Sequence, residues 1–382
     1  MRNVALDLGS RITYCEVKDG KVIVRDTGTS LSGLERLIGP NTPPARVAFE
    51  ACREAWAVHD QLEAWGHDPL MLDTTRVRQL GVGQHKRKND RIDAETMALA
   101  LEVGRIPLAH VLSPHRRELR LQLGARRALV GTRAEYVTQI RGLLRANGKR
   151  VPGCDTENFV EHLSKTPLDE TTRALVEPLV GVLEVLTPQI TLVETKLEQL
   201  CASEPVIHRL RTVPGVALVV AAAFVSVIDQ AKRFRRAHEV EAYLGLVPSE
   251  NTSVHRRLGA ITKQGNTYVR ALLVQAAHSV FRLRADDPLK KWGEAVEQRR
   301  GKRIAVVAVA RRLVGILWAM WRDGSVYSPT KLGFATASGL SSHARELTAE
   351  AADHRAAVAV TGNRPSKPRA RARKTPREVA MS

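Results

Sequence analysis

The chain has 382 residues, a formal net charge of +19 and a pI near 10.3, with 43% hydrophobic residues and only 4% aromatic residues. This length favours two or three domains, and the hydrophobic share is sufficient for real cores, which excludes a wholly disordered chain. The charge indicates a polyanionic partner, nucleic acid above all, and exceeds what an acidic small-molecule substrate would require.

The cysteines and the apolar segments indicate a cytoplasmic protein without a membrane span. The four cysteines are scattered and form no C-x-x-C pair, which argues against a zinc ribbon or a disulfide framework and suits a reducing cytosol. The N-terminus has no apolar signal segment. We interpret the apolar runs at 213–228 and 304–320 as buried helices, because the first contains a Pro-Gly turn and the second contains two arginines.

The first hundred residues alternate strand and helix signals. Three short runs, NVALDLGS, ITYCEVKD and KVIVRDT, are separated by turn residues and predict a meander that opens a sheet. A helix around 30–38, a strand in ARVAFEAC, a helix near 53–65 and a strand in PLMLD follow. This order predicts an α/β core with helices on both faces, as in the ribonuclease H fold, over residues 1–112.

The next segment predicts two long helices. Residues 115–147 form an Arg-rich helical pattern, and residues 168–203 form a second one in which Pro178 and Pro188 predict kinks. Two such helices joined by a loop predict an antiparallel hairpin or coiled coil over 113–204.

The last part of the chain divides into a domain and a tail. Residues 205–335 predict a compact helical domain that contains a serine loop. Residues 336–382 are dominated first by Ala, Ser, His and Arg and then by Pro, Arg and Lys, which predicts a disordered basic tail.

Four acids stand out against this basic background. Asp7 follows Val-Ala-Leu in the first strand, and Glu50 follows Val-Ala-Phe in the fourth. Asp90 and Asp93 open a helical run, at a spacing that sets both side chains on one face of its first turn. The alternative is that the first two lie at solvated strand ends and that the second two cap a helix and complement its dipole.

If that helical turn lies against the first and fourth strands, the four carboxylates converge. Four like charges in one place require divalent cations, and hard oxygen ligands suit Mg²⁺ or Mn²⁺. Two such ions would activate an attacking oxygen and stabilise a leaving oxygen at phosphorus. A basic run beside the acids would then hold a phosphate backbone: Lys86, Arg87, Lys88 and Arg91.

A second candidate site is the hydroxyl-rich loop from Ser249 to Ser253. Cations follow it in the sequence: Arg256, Arg257, Lys263 and Arg270. A serine near several arginines is what phosphoryl transfer through a covalent phosphoserine requires, because the cations neutralise the developing charge. By composition alone, a solvated loop with helix-capping residues is the other interpretation.

The turn at Pro214-Gly215-Val216 lies between two helical stretches. It resembles the hairpin of a helix-hairpin-helix motif, in which backbone amides bind a nucleic-acid phosphate. Ala217 stands where that motif has a second glycine, and a plain turn between helices explains the same residues.

Together these segments resemble the insertion-sequence transposases of the IS110 family, also called DEDD transposases. ALDLGS, VAFEA and KNDRIDAETMALA match the acidic tetrad of their RuvC-like domain. LRTVPGV, RFRRAHEVEAYLGLVPSENTS and GAITKQGNTYVRALLVQAA match their transposase domain. The similarity covers most of residues 1–285 and implies DNA recombination.

The resemblance also implies site residues and partners. In that family a serine after the GL-x-P motif is the nucleophile. The usual Ser-Gly ending is Ser253-Val254 here, so Ser253 is the match and Ser249 and Thr252 remain alternatives. The family implies a homo-oligomer, dimer or tetramer, in which the metal-bound carboxylates of one subunit meet the serine of another. It further implies a guide RNA from the flank of the element that pairs with donor and target DNA.

Three other functional classes fit parts of the sequence. A RuvC-like nuclease, resolvase or invertase would use the acidic site alone. An actin-like ATPase would share ALDLGS but requires a late strand followed by D-x-G, and the late Asp-Gly at 323–324 follows a helical pattern. A non-catalytic nucleic-acid-binding protein would need only the charge, which leaves Asp7 and Glu50 in apolar strands unexplained.

Overall fold

The computed structural model describes residues 1–78, 90–252, 256–283 and 287–329. The chain divides into two compact units, Met1–Ala125 and a second unit that begins at Arg126. Five of the features predicted above lie outside the described residues: Lys86, Arg87, Lys88, Ser253 and the tail at 336–382.

A five-stranded mixed sheet forms the first unit. Its strands are β1 (Arg2–Leu8), β2 (Ile12–Lys18), β3 (Lys21–Thr29), β4 (Ala45–Glu50) and β5 (Asp68–Leu72). In the order β3-β2-β1-β4-β5, the first three strands pair antiparallel, whereas β4 and β5 continue the sheet in parallel from β1. The predicted meander, the predicted succession of strands and helices along the chain, and with them the mixed α/β class, are confirmed.

Helices cover both faces of this sheet. Helices α1 (Leu31–Ile38) and α2 (Ala55–Ala64) pack on one face, and α4 (Asp90–Glu102) packs on the other, where the short α3 (Thr74–Val77) also lies. Side chains alternate between the faces along each strand. In β1, Val4 and Leu6 therefore join the core under α1 and α2, whereas Ala5 joins the core under α4.

A buried ionic network ties the start of β1 to β2. The carboxylate of Glu16, a residue that is 6% exposed, accepts hydrogen bonds from Arg2 Nε and Nη2 at 2.9 and 2.8 Å and from the Tyr14 hydroxyl at 2.7 Å. The hydrogen bonds from Arg2 hold the pKa of Glu16 below its usual range. A buried charge without such partners would be costly, so the network favours this register of the two strands.

The next elements form an antiparallel helical hairpin, as predicted. Helix α5 (Pro114–Ala146) is followed by α6 (Phe159–Ser164) and α7 (Glu170–Ala202). Ile140 and Leu144, near the end of α5, pack with Val176 and Leu183, near the start of α7. Helix α7 continues through Pro178 and Pro188, where the sequence predicted kinks, so neither proline ends the helix.

The rest of the second unit contains six α-helices, a short 3₁₀ helix at Ala231–Arg233 and a two-stranded sheet among its described residues. The elements are α8 (Pro205–Leu210), α9 (Leu218–Ile228), α10 (Ala237–Tyr243), β6 (Pro248–Thr252), β7 (Arg256–Ile261), α11 (Thr267–Arg282), α12 (Pro288–Arg300) and α13 (Lys302–Asp323). The sequence predicted a loop where β6 lies. An isolated hairpin has no buried apolar face, so its residues lack the alternation by which a strand is predicted.

The two apolar runs of the sequence are core helices of this unit. The residues of α9 from Val220 to Ile228 are buried. Helices α7 and α13 are long and apolar enough to cross a membrane by length and composition alone, with 22% and 56% of their apolar windows buried within the protein.

Replacing Glu16 with Gln should lower the free energy of unfolding of the first unit by about 2 kcal/mol at neutral pH, because charge-assisted hydrogen bonds are lost. Since the pKa of Glu16 is lowered by folding, its contribution is present at neutral pH and disappears as the pH falls through that lowered value. The difference between parent and variant should therefore narrow in acid.

Urea denaturation at neutral and at acidic pH measures the loss of stability and its pH dependence. Hydrogen exchange in peptides from β1 and β2 serves as the readout. Exposed Glu35 provides the matched control, Glu35→Gln. Equal losses in the two variants would contradict a special role for Glu16.

Candidate active site

The acids at the ends of β1 and β4 lie on the same face of the sheet. Leu6 pairs with Phe49 in the parallel register, so Asp7 and Glu50 are the next residues on two adjacent strands. By alternation, Asp7 shares the face of Ala5, and Glu50 shares the face of Ala48. Both alanines belong to the core under α4. Asp7 and Glu50 are therefore half-buried acids on the α4 side.

Helix α4 turns part of its acidic first turn toward that face. Its buried stripe begins at Asp93 and continues through Ala94, Met97, Ala98 and Leu101. Asp93 is 8% exposed, whereas Asp90 and Arg91 are exposed. An acid that served only to complement the helix dipole would not need burial against the sheet.

Two contacts set the direction of α4 across the sheet. Arg25 of β3 forms an ion pair with Glu95, one turn or less from Asp93. At the other end of the helix, Glu102 Oε2 accepts a hydrogen bond of 2.9 Å from the amide of Gly20, in the turn between β2 and β3. That turn lies beside the start of β1, because β1 and β2 are antiparallel.

The C-terminal end of α4 therefore lies near the start of β1, and its N-terminal turn lies near the end of β1. The structure in this way brings Asp7, Glu50 and Asp93 to one end of the sheet and one face. Asp90 lies three residues before Asp93, at the exposed start of the same turn. All four side chains offer carboxylate oxygens, which are the ligands that Mg²⁺ and Mn²⁺ prefer.

Another group of potential ligands lies on the opposite face of the first unit. Within the described parts of the chain, His59, Asp60 and Glu63 of α2 have ligand atoms within 4.8 Å of one another. The Asp60 carboxylate accepts hydrogen bonds of 2.6 and 2.7 Å from Arg117 Nη1, which lower the pKa of Asp60. Because Arg117 of α5 already neutralises the Asp60 carboxylate, we interpret this group as a structural contact between α2 and α5.

In the second unit, two turns at the base of the β6–β7 hairpin, one at Gly245 and one at Gly265, pack directly against each other. Gly245 and Gly265 have φ angles of +70° and +74°. A Cβ on Gly245 would lie 2.1 Å from the Gln264 carbonyl oxygen, and a Cβ on Gly265 would lie 2.0 Å from the Tyr243 carbonyl oxygen. Only glycine satisfies both the backbone conformation and the space at these positions.

Arg270 joins the two turns from inside the fold. It is 9% exposed, and its Nη1 donates to the carbonyl oxygens of Leu244 and Gln264 at 3.0 and 2.8 Å. The sequence placed Arg270 among the cations that would contact nucleic acid. The structure instead commits this guanidinium to the protein backbone, so we assign it a structural role.

Lys263 differs from Arg270 in leaving its side chain exposed. Its backbone has a φ of +57°, and its amide donates to the Gly245 carbonyl oxygen at 3.1 Å. The backbone of Lys263 therefore takes part in the crossing of the turns while its ammonium group faces solvent.

Ser249 has a structural role in the hairpin. Its Oγ donates to the Ala260 carbonyl oxygen at 3.0 Å, and a Cβ on Gly259 would lie 2.6 Å from that Oγ. Thr252 ends β6 and Arg256 begins β7. The connection that holds Ser253 lies outside the described residues, between the ends of these strands.

Gly215 is explained by packing. It has a φ of +80°, and a Cβ there would lie 2.6 Å from the Ala276 carbonyl oxygen of α11. The amide of Val216 donates to the Val213 carbonyl oxygen at 3.0 Å. A turn pressed against α11 thus accounts for the glycine, and a phosphate contact at this position stays a prediction.

The late Asp-Gly pair ends α13, with Gly324 as the left-handed C-cap. The strand that an actin-like ATPase requires before this pair is therefore replaced by a helix.

Comparison with known proteins covers both units. Residues 207–291 match the family model described as "Transposase IS116/IS110/IS902 family". Residues 4–147 match a second model, described as "Transposase" and named for the DEDD transposases of IS110. The chain is 30% identical over 296 residues to a "Probable family 20 transposase" of Pseudomonas aeruginosa, an alignment that covers 75% of this chain and 87% of the relative.

The chain belongs to the IS110 family of transposases. It is 26% identical over 338 residues to the "Transposase for insertion sequence element IS1328" of Yersinia enterocolitica, which covers 85% of this chain and 98% of the relative. It is 27% identical over 250 residues to the "Transposase for insertion sequence element IS1111A" of Coxiella burnetii, with coverage of 63% and 68%. The protein is therefore a DNA transposase, and its DEDD family implies a divalent metal.

Several residues that position the sites escaped prediction from the sequence. The pairs formed by Arg25 with Glu95 and by Gly20 with Glu102 join segments that are 70 and 82 residues apart, which no local pattern reveals. Gly245 and Gly265 carried a usable signal, since Gly245 follows a helical pattern and Gly265 forms a Gly-Asn turn pair before the next helix.

Replacing Gly245 with Ala should destabilise the second unit by about 2 kcal/mol more than replacing Gly324 with Ala, because overpacking adds to the backbone strain. Gly324 is the matched control, with a φ of +65° and no atom within 4 Å of an added Cβ. Urea denaturation compares the two variants. Equal destabilisation by Gly245→Ala and Gly324→Ala would show that the close contact between the turns does not contribute to the cost of the substitution.

Proposed function

We propose that this transposase cuts and rejoins DNA with Asp7, Glu50, Asp90 and Asp93 as ligands of divalent cations and with Ser253 as nucleophile. The observation that carries the proposal is the common α4-facing side of Asp7 and Glu50 together with the burial of Asp93 on the same face. Mg²⁺ or Mn²⁺ would neutralise the phosphate and lower the pKa of an attacking hydroxyl when bound there.

The proposed domain roles follow the sequence boundaries. Residues 1–112 act as the RuvC-like metal domain, and residues 205–335 carry the serine. Residues 113–204 form the hairpin between them, and residues 336–382 are a basic tail.

The chemistry exchanges one phosphoester bond for another. The Ser253 hydroxyl attacks a DNA phosphorus, the serine proton is released, and the bond from phosphorus to one sugar oxygen breaks as that oxygen takes up a proton. A sugar hydroxyl at another DNA end then attacks the phosphoserine, which restores a phosphodiester and the free serine. No external energy source is needed, because the phosphoester bond is preserved throughout.

The contacts of Ser249 in the β6–β7 hairpin favour Ser253 over Ser249 as the nucleophile. The Ser249 hydroxyl already donates to the Ala260 carbonyl oxygen and lies against Gly259, near the rigid base of the hairpin. Ser253 is the residue that follows Thr252, the last residue of β6, in the sequence.

The proposed partners follow from this arrangement. The DNA would be the element ends and the target, contacted by Lys86, Arg87, Lys88, Arg91, Arg256, Arg257 and Lys263. A homo-oligomer would supply the carboxylates and the serine of each site from different subunits. A guide RNA encoded beside the element would pair with both DNAs. The assembly would work in the bacterial cytoplasm, associated with the nucleoid when bound to DNA.

Ser253→Ala should abolish excision of the element and the covalent protein–DNA adduct, whereas Ser249→Ala should retain both with some loss of stability. Excision is measured by amplification of the repaired donor junction in cells that carry the element with its flanks. The adduct is measured with labelled DNA on a denaturing gel. Cleavage without an adduct by Ser253→Ala would favour a nuclease that uses the acidic site alone.

Asp93→Asn should weaken Mn²⁺ binding at least tenfold while leaving duplex DNA binding unchanged, because one charged oxygen ligand is lost. Electron paramagnetic resonance measures the bound Mn²⁺, and Asp68→Asn at an exposed position of the same unit is the control. Unchanged Mn²⁺ affinity would remove Asp93 from the proposed site.

Mixing Asp93→Asn with Ser253→Ala subunits should restore cleavage that neither variant has alone. In a composite site, the intact carboxylates of one variant meet the intact serine of the other. Persistent inactivity of well-mixed oligomers would mean that each subunit uses its own serine.

A further inference from the structure

The tip of the helical hairpin holds a small cavity lined mainly by arginines. Its volume is about 250 Å³, and its lining residues are Arg141, Arg145, Arg150 and Val151. Gly148, with a φ of +69°, ends α5 and turns the chain back, so that Arg150 and Val151 return over the last turns of the helix. The amide of Lys149 donates to the Leu144 carbonyl oxygen at 2.8 Å and fixes this turn.

One wall of the cavity is rigid. Arg141 Nη1 donates to the Val151 carbonyl oxygen at 3.0 Å, and its Nη2 lies 3.2 Å from Cys154 Sγ and 3.3 Å from the Pro152 carbonyl oxygen. The same guanidinium lies over the Phe159 ring at 4.9 Å. The loop is therefore held in place before any ligand arrives, which lowers the entropic cost of binding.

The other two arginines have no acid to balance them among the described residues. The side chains of Arg145 and Arg150 form no hydrogen bond or ion pair with the described parts of the chain. Asp169 is committed elsewhere, since its carboxylate accepts from Thr172 N at 2.8 Å and Thr172 Oγ1 at 2.9 Å and lies 3.8 Å from Lys149 Nζ. Three positive charges thus converge on one concavity, and an anion there would relieve their mutual repulsion.

The dipole of α5 does not explain this arrangement. Arg145 lies in the last turn, where a cation complements the helix C-terminus. Arg150 lies beyond the end of the helix, and one helix terminus does not require three guanidinium groups around the same cavity.

We propose that this cavity, the tip pocket, binds a phosphate group of the backbone of double-stranded DNA. Guanidinium groups match the geometry of phosphate oxygens. Among the described residues, no aromatic side chain lines the pocket, so these residues offer no surface on which an unpaired base could stack. Single-stranded RNA is recognised chiefly through such stacking, whereas duplex DNA is held through its backbone. The tip pocket is thus a sequence-independent anchor.

This assignment depends on DNA binding by the transposase and not on the metal or serine chemistry. Asp93→Asn and Ser253→Ala, which test that chemistry, should leave the tip pocket and its DNA contact unchanged. The two proposals can therefore fail separately.

The test uses the full chain and a fluorescent DNA duplex of arbitrary sequence, with affinity measured by anisotropy between about 50 and 200 mM salt. The variant Arg145→Gln/Arg150→Gln should bind about tenfold more weakly at 100 mM salt, and the slope of log affinity against log salt should flatten by about 0.9 for one lost phosphate contact. The charge-matched control is Arg173→Gln/Lys196→Gln, at exposed positions of α7 outside the pocket. The control should change affinity less than about twofold and leave the slope unaltered.

Thermal unfolding should be the same for parent and both variants, because all four replaced side chains are exposed. If the pocket variant unfolds earlier, Arg150→Gln alone, outside helix α5, repeats the test. Equal behaviour of the pocket variant and the control would overturn the proposal. A loss confined to a single-stranded RNA probe of the same sequence would overturn the choice of DNA.

Discussion

The parallel pairing of β1 with β4 is the constraint on which the first unit depends. Because Leu6 lies opposite Phe49, the strands end in step, and alternation turns Asp7 and Glu50 to the face that α4 covers. A shift of one residue in either strand would move its acid to the opposite face, into the core under α1 and α2. The Arg2–Glu16 network fixes β1 against β2 on its other side. The contacts of α4 with Arg25 and Gly20 fix the position of that helix on the sheet.

In the second unit, the constraint is the pair of turns at the base of the β6–β7 hairpin. Two glycine turns cross within contact distance, and Arg270 links their carbonyl groups from the buried side. The base of the hairpin is thereby rigid, and the chemistry proposed for Ser253 belongs to the connection beyond it. Rigidity near a reactive group serves catalysis, since small displacements of reacting atoms are costly.

The large positive charge is divided between structure and binding. Arg117 holds Asp60, Arg270 holds two turns, and Arg141 holds the loop at the hairpin tip, so none of the three is fully available to a polyanion. Net charge alone therefore overstates the surface that meets DNA. Cations whose side chains have no partner among the described residues, such as Arg145 and Arg150, are the better candidates for contact with phosphate.

The sequence by itself determined the order of strands and helices in the first unit, the long helical hairpin and the family, because these depend on local periodicity and short motifs. The role of the four acids stays a prediction. It did not determine that Asp93 rather than Asp90 is buried, that Arg270 and Ser249 serve the backbone, or that β6 is a strand. Those outcomes depend on contacts between segments far apart in the chain. The same type of side chain donates to a carbonyl group at one position, as Arg270 does, and faces solvent at another, as Arg145 does. The neighbouring segments in the tertiary structure decide between these outcomes.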